Sequence, residues 1–521
     1  MSRNFNLNQN SIDNKIRIIF EIANNHQGNE DHFYKILNDI YKATRPFKNN
    51  FEFLIKFQFR DIPTFIDNSI DPSSNKHISR FRETLLSDKE WIEIIKNVKD
   101  KGFRTIVTPF DEISVQKALD LEIEEFKIAS CSSTEWTLLN EVIKTGKYVT
   151  ISTGGRNLKE IDEIYSYFAH LIPNKFTIMH CCGIYPAPIE NLNLETIKTF
   201  KDRYPLANIG YSGHEDPHNH VISSLALTLG ATAIERHIGK EDLGNNINLN
   251  NYSIDSNSIK NWLNALKTTL ICIGSSKNYY YKNDIEQKSL VSLQRGVFLS
   301  NDIKKGTEIK ASDCTFKFPI QENQLSAAEI ASINNIFTSR YDLKSGTRLT
   351  NDLIELMHPD DLPLKNYVHK VRGILNQYAE YVPQEIEIEI SHHYGLNKIE
   401  EFGCCLLNVI NRKYCKKLIV MTEGQCHPKQ YHIEKEETFR VLYGEIELIL
   451  NDKSMVLKRG KEALVKAGVK HSFKANTNCI IEELSTTSKN TDSYYEDSII
   501  SQMPREKRKT IINLHFDHYQ K

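Results

Sequence analysis

RTIVTPFDEISVQKALDLEIEEFKIAS, residues 104–130, holds two apolar runs of strand length, RTIVTPF and EEFKIAS, with a helical stretch between them. Strand, helix and strand in so short a span is the unit of a parallel sheet, because parallel neighbours need a crossover that carries the chain back to its starting end. The alternation continues in both directions. Upstream lie IRIIFEIA (16–23) and FLIKFQF (53–59); downstream come YVTIST (148–153), KFTIMHCC (175–182), ANIGYSGH (207–214) and ATAIERHI (231–238). Helical periodicity fills the gaps, as in DKEWIEIIKNVKDKG, where Trp91, Ile94, Ile95 and Val98 share one face. Eight such units between Ile16 and about Leu270 predict an α/β protein whose first part is a (β/α)8 TIM barrel, with its chemistry at the C-terminal ends of the strands.

The whole chain has 521 residues, room for roughly three domains. Its 66 Lys and Arg nearly cancel 67 Asp and Glu, so no global field draws nucleic acid or an acidic membrane, and any anion site must be local. The opening MSRNFNLNQNSIDNK lacks the apolar core of a signal peptide, and no later apolar run approaches the roughly 18 residues of a membrane span, so a cytoplasmic protein is expected. The ten cysteines form no CxxC pair and read as reduced core residues.

The predicted strand ends carry Glu21, Lys56 and Gln58, Thr108, Lys127 and Ser130, Ser152, His180, Ser212 and His214, and Glu235 and His237. A single polar residue there means little, because a chain leaving a sheet turns polar anyway. As a set they mean more. Lys56 and Lys127 with the hydroxyls of Thr108, Ser130 and Ser152 and the amides of Gly154 and Gly155 would make a phosphate and carboxylate pocket. His214 and His237 end neighbouring strands, where two imidazoles can share a divalent metal with positions left open; the bland alternative is that each caps its strand.

These segments resemble the sialic acid synthase (N-acetylneuraminate synthase) family: EIANNHQGN (21–29), KFQFRD (56–61), TPFD (108–111), FKIAS (126–130), ISTGG (151–155), MHCCGIYPAP (179–188), GYSGHE (210–215) and GATAIERHI (230–238), in family order over some 270 residues. The resemblance implies a transferase that joins phosphoenolpyruvate to N-acetylmannosamine or a related aldose, giving a sialic acid-like nonulosonic acid and phosphate for surface glycans. It implies phosphoenolpyruvate contacts from Lys56, Thr108, Lys127, Ser130, Ser152 and Ser212, and a sugar contact from Tyr185. It also implies Mn2+ or Mg2+ on His214 and His237, and a catalytic carboxylate at Glu21. Departures cluster where the family holds its sugar: Gly183, Ser132, and LGNNINLNNYSID (243–255), with Asn248 near the place of a family aspartate. The donor half-reaction is therefore expected to be kept while the acceptor differs.

Beyond the barrel domain (1–280), residues 290–356 contain two similar strand, Lys-Ser/Lys-Gly, strand turns and resemble the antifreeze-like (SAF) domain of the family. That resemblance implies a homodimer formed by domain swapping. The family's Lys-Arg-Pro motif reads Lys317, Phe318, Pro319 here, without the arginine. Residues 380–490 resemble an all-β cupin. Gly424, Gln430, His432, Glu437 and Gly444, then Gly460, Gly468 and His471, follow cupin spacing, with His432, Glu437 and His471 as candidate ligands of a second metal and His427 nearby. Residues 491–521 form a tail whose basic run MPREKRK (503–509) reads as a solvated helix face. Two other readings remain: a Schiff-base barrel aldolase using Lys127, and a non-catalytic sugar sensor.

Overall fold

A computed structural model describes residues 15–67, 69–71, 75–274, 283–378 and 386–513, which fall into two compact units, one ending at residue 274 and one beginning at residue 283. The first unit is the predicted barrel. Its strands are β1 (Ile16–Glu21), β2 (Phe51–Phe59), β3 (Arg104–Pro109), β4 (Glu125–Ile128), β5 (Tyr148–Ser152), β6 (Phe176–Cys181), β7 (Asn208–Gly213) and β8 (Ala233–Gly239). They pair in parallel in sequence order, and β1 pairs with β8 to close the sheet without an edge.

Side chains alternate across a strand, so every second residue points into the barrel, and the interior is built in layers. The lowest is ionic: Arg17 pairs with Glu52 at 3.1 Å and with Glu125, and Arg104 pairs with the same two carboxylates at 2.7 Å each. Two residues higher, Ile19, Leu54, Ile106, Met179 and Ala233 form a small buried cluster of their own. Two residues higher again come Glu21, Lys56, Thr108, Cys181 and Glu235. An apolar plug thus separates two charged layers, and the upper one opens at the C-terminal strand ends.

The outer helices bury the faces their periodicity predicts. In Asp88–Asp100, Trp91, Ile94, Ile95 and Val98 are buried, and Ser87 and Glu90 form a reciprocal capping box at its start. Trp91 meets Phe59 edge-on with centroids 5.0 Å apart.

The second unit holds two sets of antiparallel strands. In the first, Gly296–Leu299 pairs with Cys314–Lys317, and Ile336–Ser339 pairs with Glu308–Ile309 and Ile354–Met357. The two similar turns seen in the sequence brace each other. Lys344 Nζ and the Ser345 amide bond Asp302 at 2.7 and 2.9 Å, while Lys304 Nζ and the Lys305 amide bond Asp342 at 3.1 and 2.9 Å. Ile303 and Leu343 exchange both backbone hydrogen bonds between them.

The remaining strands form a seven-stranded and a five-stranded sheet. The helix Leu362–Tyr378 lays Tyr367, Val371 and Ile374 on one face of the larger sheet, against Cys405, Leu407 and Val420. The other face turns Phe439, Val441 and Ile481 towards Phe473, Ile446 and Leu448 of the smaller sheet. The basic run is not a solvated helix face. Only Arg505–Arg508 is helical; Lys509–Asn513 is a strand paired with Glu387–Ser391, and Arg505 and Lys509 both pair with Glu389. All ten cysteines are free, but Cys131 and Cys272 are exposed, so the core reading fails for these two. Among the described residues no helix is long and apolar enough to cross a membrane.

Candidate active site

The upper layer of the barrel is a four-residue charge cluster. Lys56 Nζ lies 2.5 Å from Glu21 and 2.9 Å from Glu235 Oε1, and Lys127 Nζ lies 2.8 Å from each oxygen of Glu235. Ser212 Oγ donates to Glu235 Oε1 at 2.9 Å. All five side chains are buried. Burial by itself would raise the Glu235 carboxyl, but Lys127 and Lys56 hold it well below the usual carboxylate range. Burial pushes Glu21 upward, with Lys56 opposing, and lowers the Lys127 ammonium, with Glu235 opposing. Two lysines with two carboxylates leave no net charge, so the lysines are not free cations waiting for an anion. Glu235 organises both, a role that its bare position at a strand end did not reveal.

The hydroxyls divide. Thr108 Oγ1 is buried with no hydrogen-bond partner, and Ser152 is buried at the end of β5. Ser130 Oγ accepts from the Gly154 amide at 2.9 Å and touches Cys181 Sγ at 3.2 Å, so the predicted cradle of two glycine amides is half used internally. Arg156 secures that turn by donating to Ser133 Oγ at 2.9 Å and to the Ser130 carbonyl at 3.1 Å. His180 leaves the site, its Nε2 2.6 Å from the Leu192 carbonyl.

Above the cluster, His214 and His237 face each other with ring centroids 5.4 Å apart. Burial depresses both, His214 to about 4 and His237 well below its ordinary value, so both are neutral at pH 7. His214 Nδ1 lies 2.8 Å from the Cys182 carbonyl, which makes Nδ1 the protonated nitrogen and leaves the Nε2 lone pair available. Two neutral imidazoles, that of His214 oriented by the Cys182 carbonyl, fit a divalent metal. Among the described residues no third histidine, cysteine or carboxylate lies close enough to complete a trio, so an ion held here keeps positions open.

Two tyrosines border the pair. The half-exposed Tyr185 lies 4.1 Å from the His214 ring, and Tyr252 lies 5.2 Å from both the His237 and Tyr185 rings. Tyr252 comes from the loop that departs from the family pattern, whereas Asn248 in the same loop is exposed. That loop is tied down by Asn25, whose Nδ2 donates to the Ile238 carbonyl at 2.8 Å and to Ser253 Oγ at 3.1 Å. Ser132 is buried, and nothing lies within 4 Å of a Cβ built on Gly183.

A second cluster lies in the paired β-sheets of the other unit. Ligand atoms of His432, Glu437 and His471 lie within 4.8 Å of one another. His432 Nδ1 donates to the Asp492 carbonyl and His471 Nδ1 lies 3.1 Å from the Val469 carbonyl, so both Nε2 lone pairs face inward. Lys435 takes Glu437 Oε1 at 2.5 Å, while Glu437 Oε2 and His432 Nε2 are buried with no hydrogen-bond partner. This donor set also fits a divalent ion. Gln430, where cupins usually carry a histidine, lies 3.3 Å from His471 Nε2.

Residues 53–278 match the NeuB family and residues 417–482 the cupin domain. A solved structure named as spore coat polysaccharide biosynthesis protein E, from Chromobacterium violaceum, is 36% identical with a TM-score of 0.60, the match covering 66% of this chain and 100% of that one. The chain belongs to the NeuB family. The N,N'-diacetyllegionaminic acid synthase of Legionella pneumophila is 25% identical over 58% of this chain and 86% of that protein. Human N-acetylneuraminate-9-phosphate synthase is 28% identical over 42% of this chain and 61% of that protein. The expected enzyme class, a carbon–carbon bond-forming transferase of the sialic acid synthase type, agrees with these NeuB-family relatives, whose names differ in the sugar they make.

Proposed function

We propose that the barrel condenses phosphoenolpyruvate with an aldose, N-acetylmannosamine or a related amino sugar, to give a sialic acid-like nonulosonic acid and phosphate for surface glycans. The observation that carries this reading is the buried Glu21–Lys56–Glu235–Lys127 cluster directly beneath two neutral histidines.

Lys56 and Lys127 turn from Glu235 towards the carboxylate and phosphate of the donor, with the unpartnered Thr108 hydroxyl and those of Ser130, Ser152 and Ser212 completing the contacts. A divalent ion on His214 and His237, Mn2+ or Mg2+, would polarise the aldehyde of the acceptor. The donor's C3 then bonds to the aldehyde carbon, whose oxygen takes up a proton. Water adds at C2, and the C2–oxygen bond to phosphate breaks, leaving a keto group. Glu21, raised by burial with Lys56 opposing, is the carboxyl placed to exchange those protons. Tyr185 and Tyr252 border the acceptor side, where a side chain unlike the family's changes sugar choice.

We further take residues 290–356 as an antifreeze-like domain and residues 380–490 as the cupin, whose sheets Tyr494–Tyr495 and Lys509–Asn513 of the 491–521 tail extend. The enzyme is a cytoplasmic homodimer with its antifreeze-like domain swapped between subunits, which sedimentation tests. Phosphate release from phosphoenolpyruvate with Mn2+, across a panel of amino sugars, tests the reaction. Release that depends on one sugar and disappears in His214→Ala supports it; silence across the panel from folded protein favours a sugar sensor.

A further inference from the structure

The sandwich of β-sheets is apolar at one end and charged at the other, and the charged end does not balance itself. Glu437 and Glu483 share Lys435, at 2.5 and 2.6 Å, and Glu389 takes both Arg505 and Lys509. Each of these carboxylates therefore has a cation. Arg508 is the cation left over: its Nε and Nη1 are buried and have no acceptor. The opposite deficit lies at His432 Nε2 and Glu437 Oε2, lone pairs that are buried and have no donor. Buried polar groups without partners are costly, and unpartnered donors and acceptors within one β-sandwich point to something that satisfies both.

The two ends belong to one surface. Gln430 sits opposite His471 in one strand pair and opposite Tyr495 in the next, so His471, Gln430 and Tyr495 step across the smaller sheet. The Arg508 guanidinium lies over the Tyr495 ring, 4.9 Å from its centroid. Two strand spacings, roughly 10 Å, thus separate the backbone positions of the metal-fitting trio and of the arginine's platform. Beside that platform His393, buried and with Nδ1 unpartnered, stands 5.3 Å from Tyr495 and 4.9 Å from His427, ring to ring.

We propose that this end of the sandwich is a second ligand site, which takes an acidic sugar. Oxygen donors at one end of the sugar meet a divalent ion on His432, Glu437 and His471, and its acid group meets Arg508. The span excludes a two-carbon acid from reaching both ends and suits a chain of six or more carbons. Lys435 keeps Glu437 Oε1 occupied, so Oε2 alone is presented to the ion. The site needs nothing from the barrel's chemistry, and either can be disproved without the other.

The test uses the full chain, stripped of metal and titrated with Mn2+, then with N-acetylneuraminate, glucose 6-phosphate and glucose by calorimetry. The wild type should take two Mn2+ per chain and His471→Ala one. Arg508→Gln should keep both ions yet bind the acidic sugar at least tenfold more weakly, and glucose should not bind either protein. Whichever of the two acids binds tells carboxylate from phosphate. Both variants should release phosphate from phosphoenolpyruvate within twofold of wild type, which separates this site from the barrel. An equal number of Mn2+ ions on the wild type and on His471→Ala, or neither acid binding the Mn2+-loaded wild type, overturns the proposal. So does equal binding to wild type and Arg508→Gln. If His471→Ala fails to fold, the Arg508→Gln comparison decides alone, because that variant removes no ligand of the ion.

Discussion

Lys127 Nζ lies 2.8 Å from both carboxylate oxygens of Glu235, although β4 and β8 stand on opposite sides of the barrel. The ion pair therefore spans the bore, directly above the apolar plug. Glu235→Gln leaves two buried lysines to one carboxylate, Glu21. Phosphate release should fall by about 100-fold or more, and the melting temperature should drop, because an uncompensated buried charge costs about 3 to 5 kcal/mol. Wild-type turnover in the variant would remove Glu235 from the machinery.

The same pair bears on the aldolase alternative. Lys127 is clamped by a carboxylate and sits beneath two histidines suited to metal, so it should not form an imine. Incubation with pyruvate and borohydride should leave the mass of the protein unchanged. A reduced adduct on Lys127 would replace the synthase reading with a Schiff-base one.

Metal removal should be reversible. Chelation should abolish phosphate release, and Mn2+ should restore it in the wild type but not in His237→Ala, whose chain should also hold one fewer ion. Full activity in chelator would leave the two histidines as strand caps.

His26 supplies a pH dependence. Burial lowers it to about 4, and the Gly28 amide donates to its Nδ1 at 3.1 Å, so the folded state needs the neutral ring. Between pH 6.5 and about 4 the unfolded chain binds a proton there that the folded chain refuses, so stability falls as the pH falls through that window. The loss is roughly 3 kcal/mol at its acid end. His26→Gln should flatten the slope of melting temperature against pH over the same range; an unchanged slope would assign the acid sensitivity elsewhere.

Arg236 and Glu215 form a wholly buried pair behind β8, with Tyr211 donating to the same carboxylate at 2.8 Å and Arg236 Nη2 donating to the Glu215 carbonyl at 2.9 Å. Arg236→Met strands Glu215, and denaturant unfolding should show a loss of about 3 to 5 kcal/mol. A loss under about 1 kcal/mol would mean that the pair adds little beyond packing.

Much of the barrel site was legible because strand periodicity is local. Glu21, Lys56 and Thr108 follow from alternation within their own strands, and the apolar residues two places earlier, Ile19, Leu54 and Ile106, say which way they point. The role of Glu235 was not legible: it stood among the polar strand ends, but its lysine partners come from β2 and β4. Tyr252 was hidden for another reason. It lies in an irregular loop held by Asn25 from the far end of the barrel chain, and loops carry no period to read. Nor could spacing tell that the Gly154 amide is taken by Ser130.

The sequence by itself determined the closed eight-stranded barrel, the cupin after it and the set of polar strand ends, because hydrophobic periodicity and glycine spacing act between residues a few places apart. Only the tertiary structure decided which charges neutralise one another across the bore, which loop residue meets the histidines, and that the Arg508 Nε and Nη1 end up buried without an acceptor. Those outcomes depend on distances between strands far apart in the chain, and burial turns each such distance into an energy that no local pattern encodes.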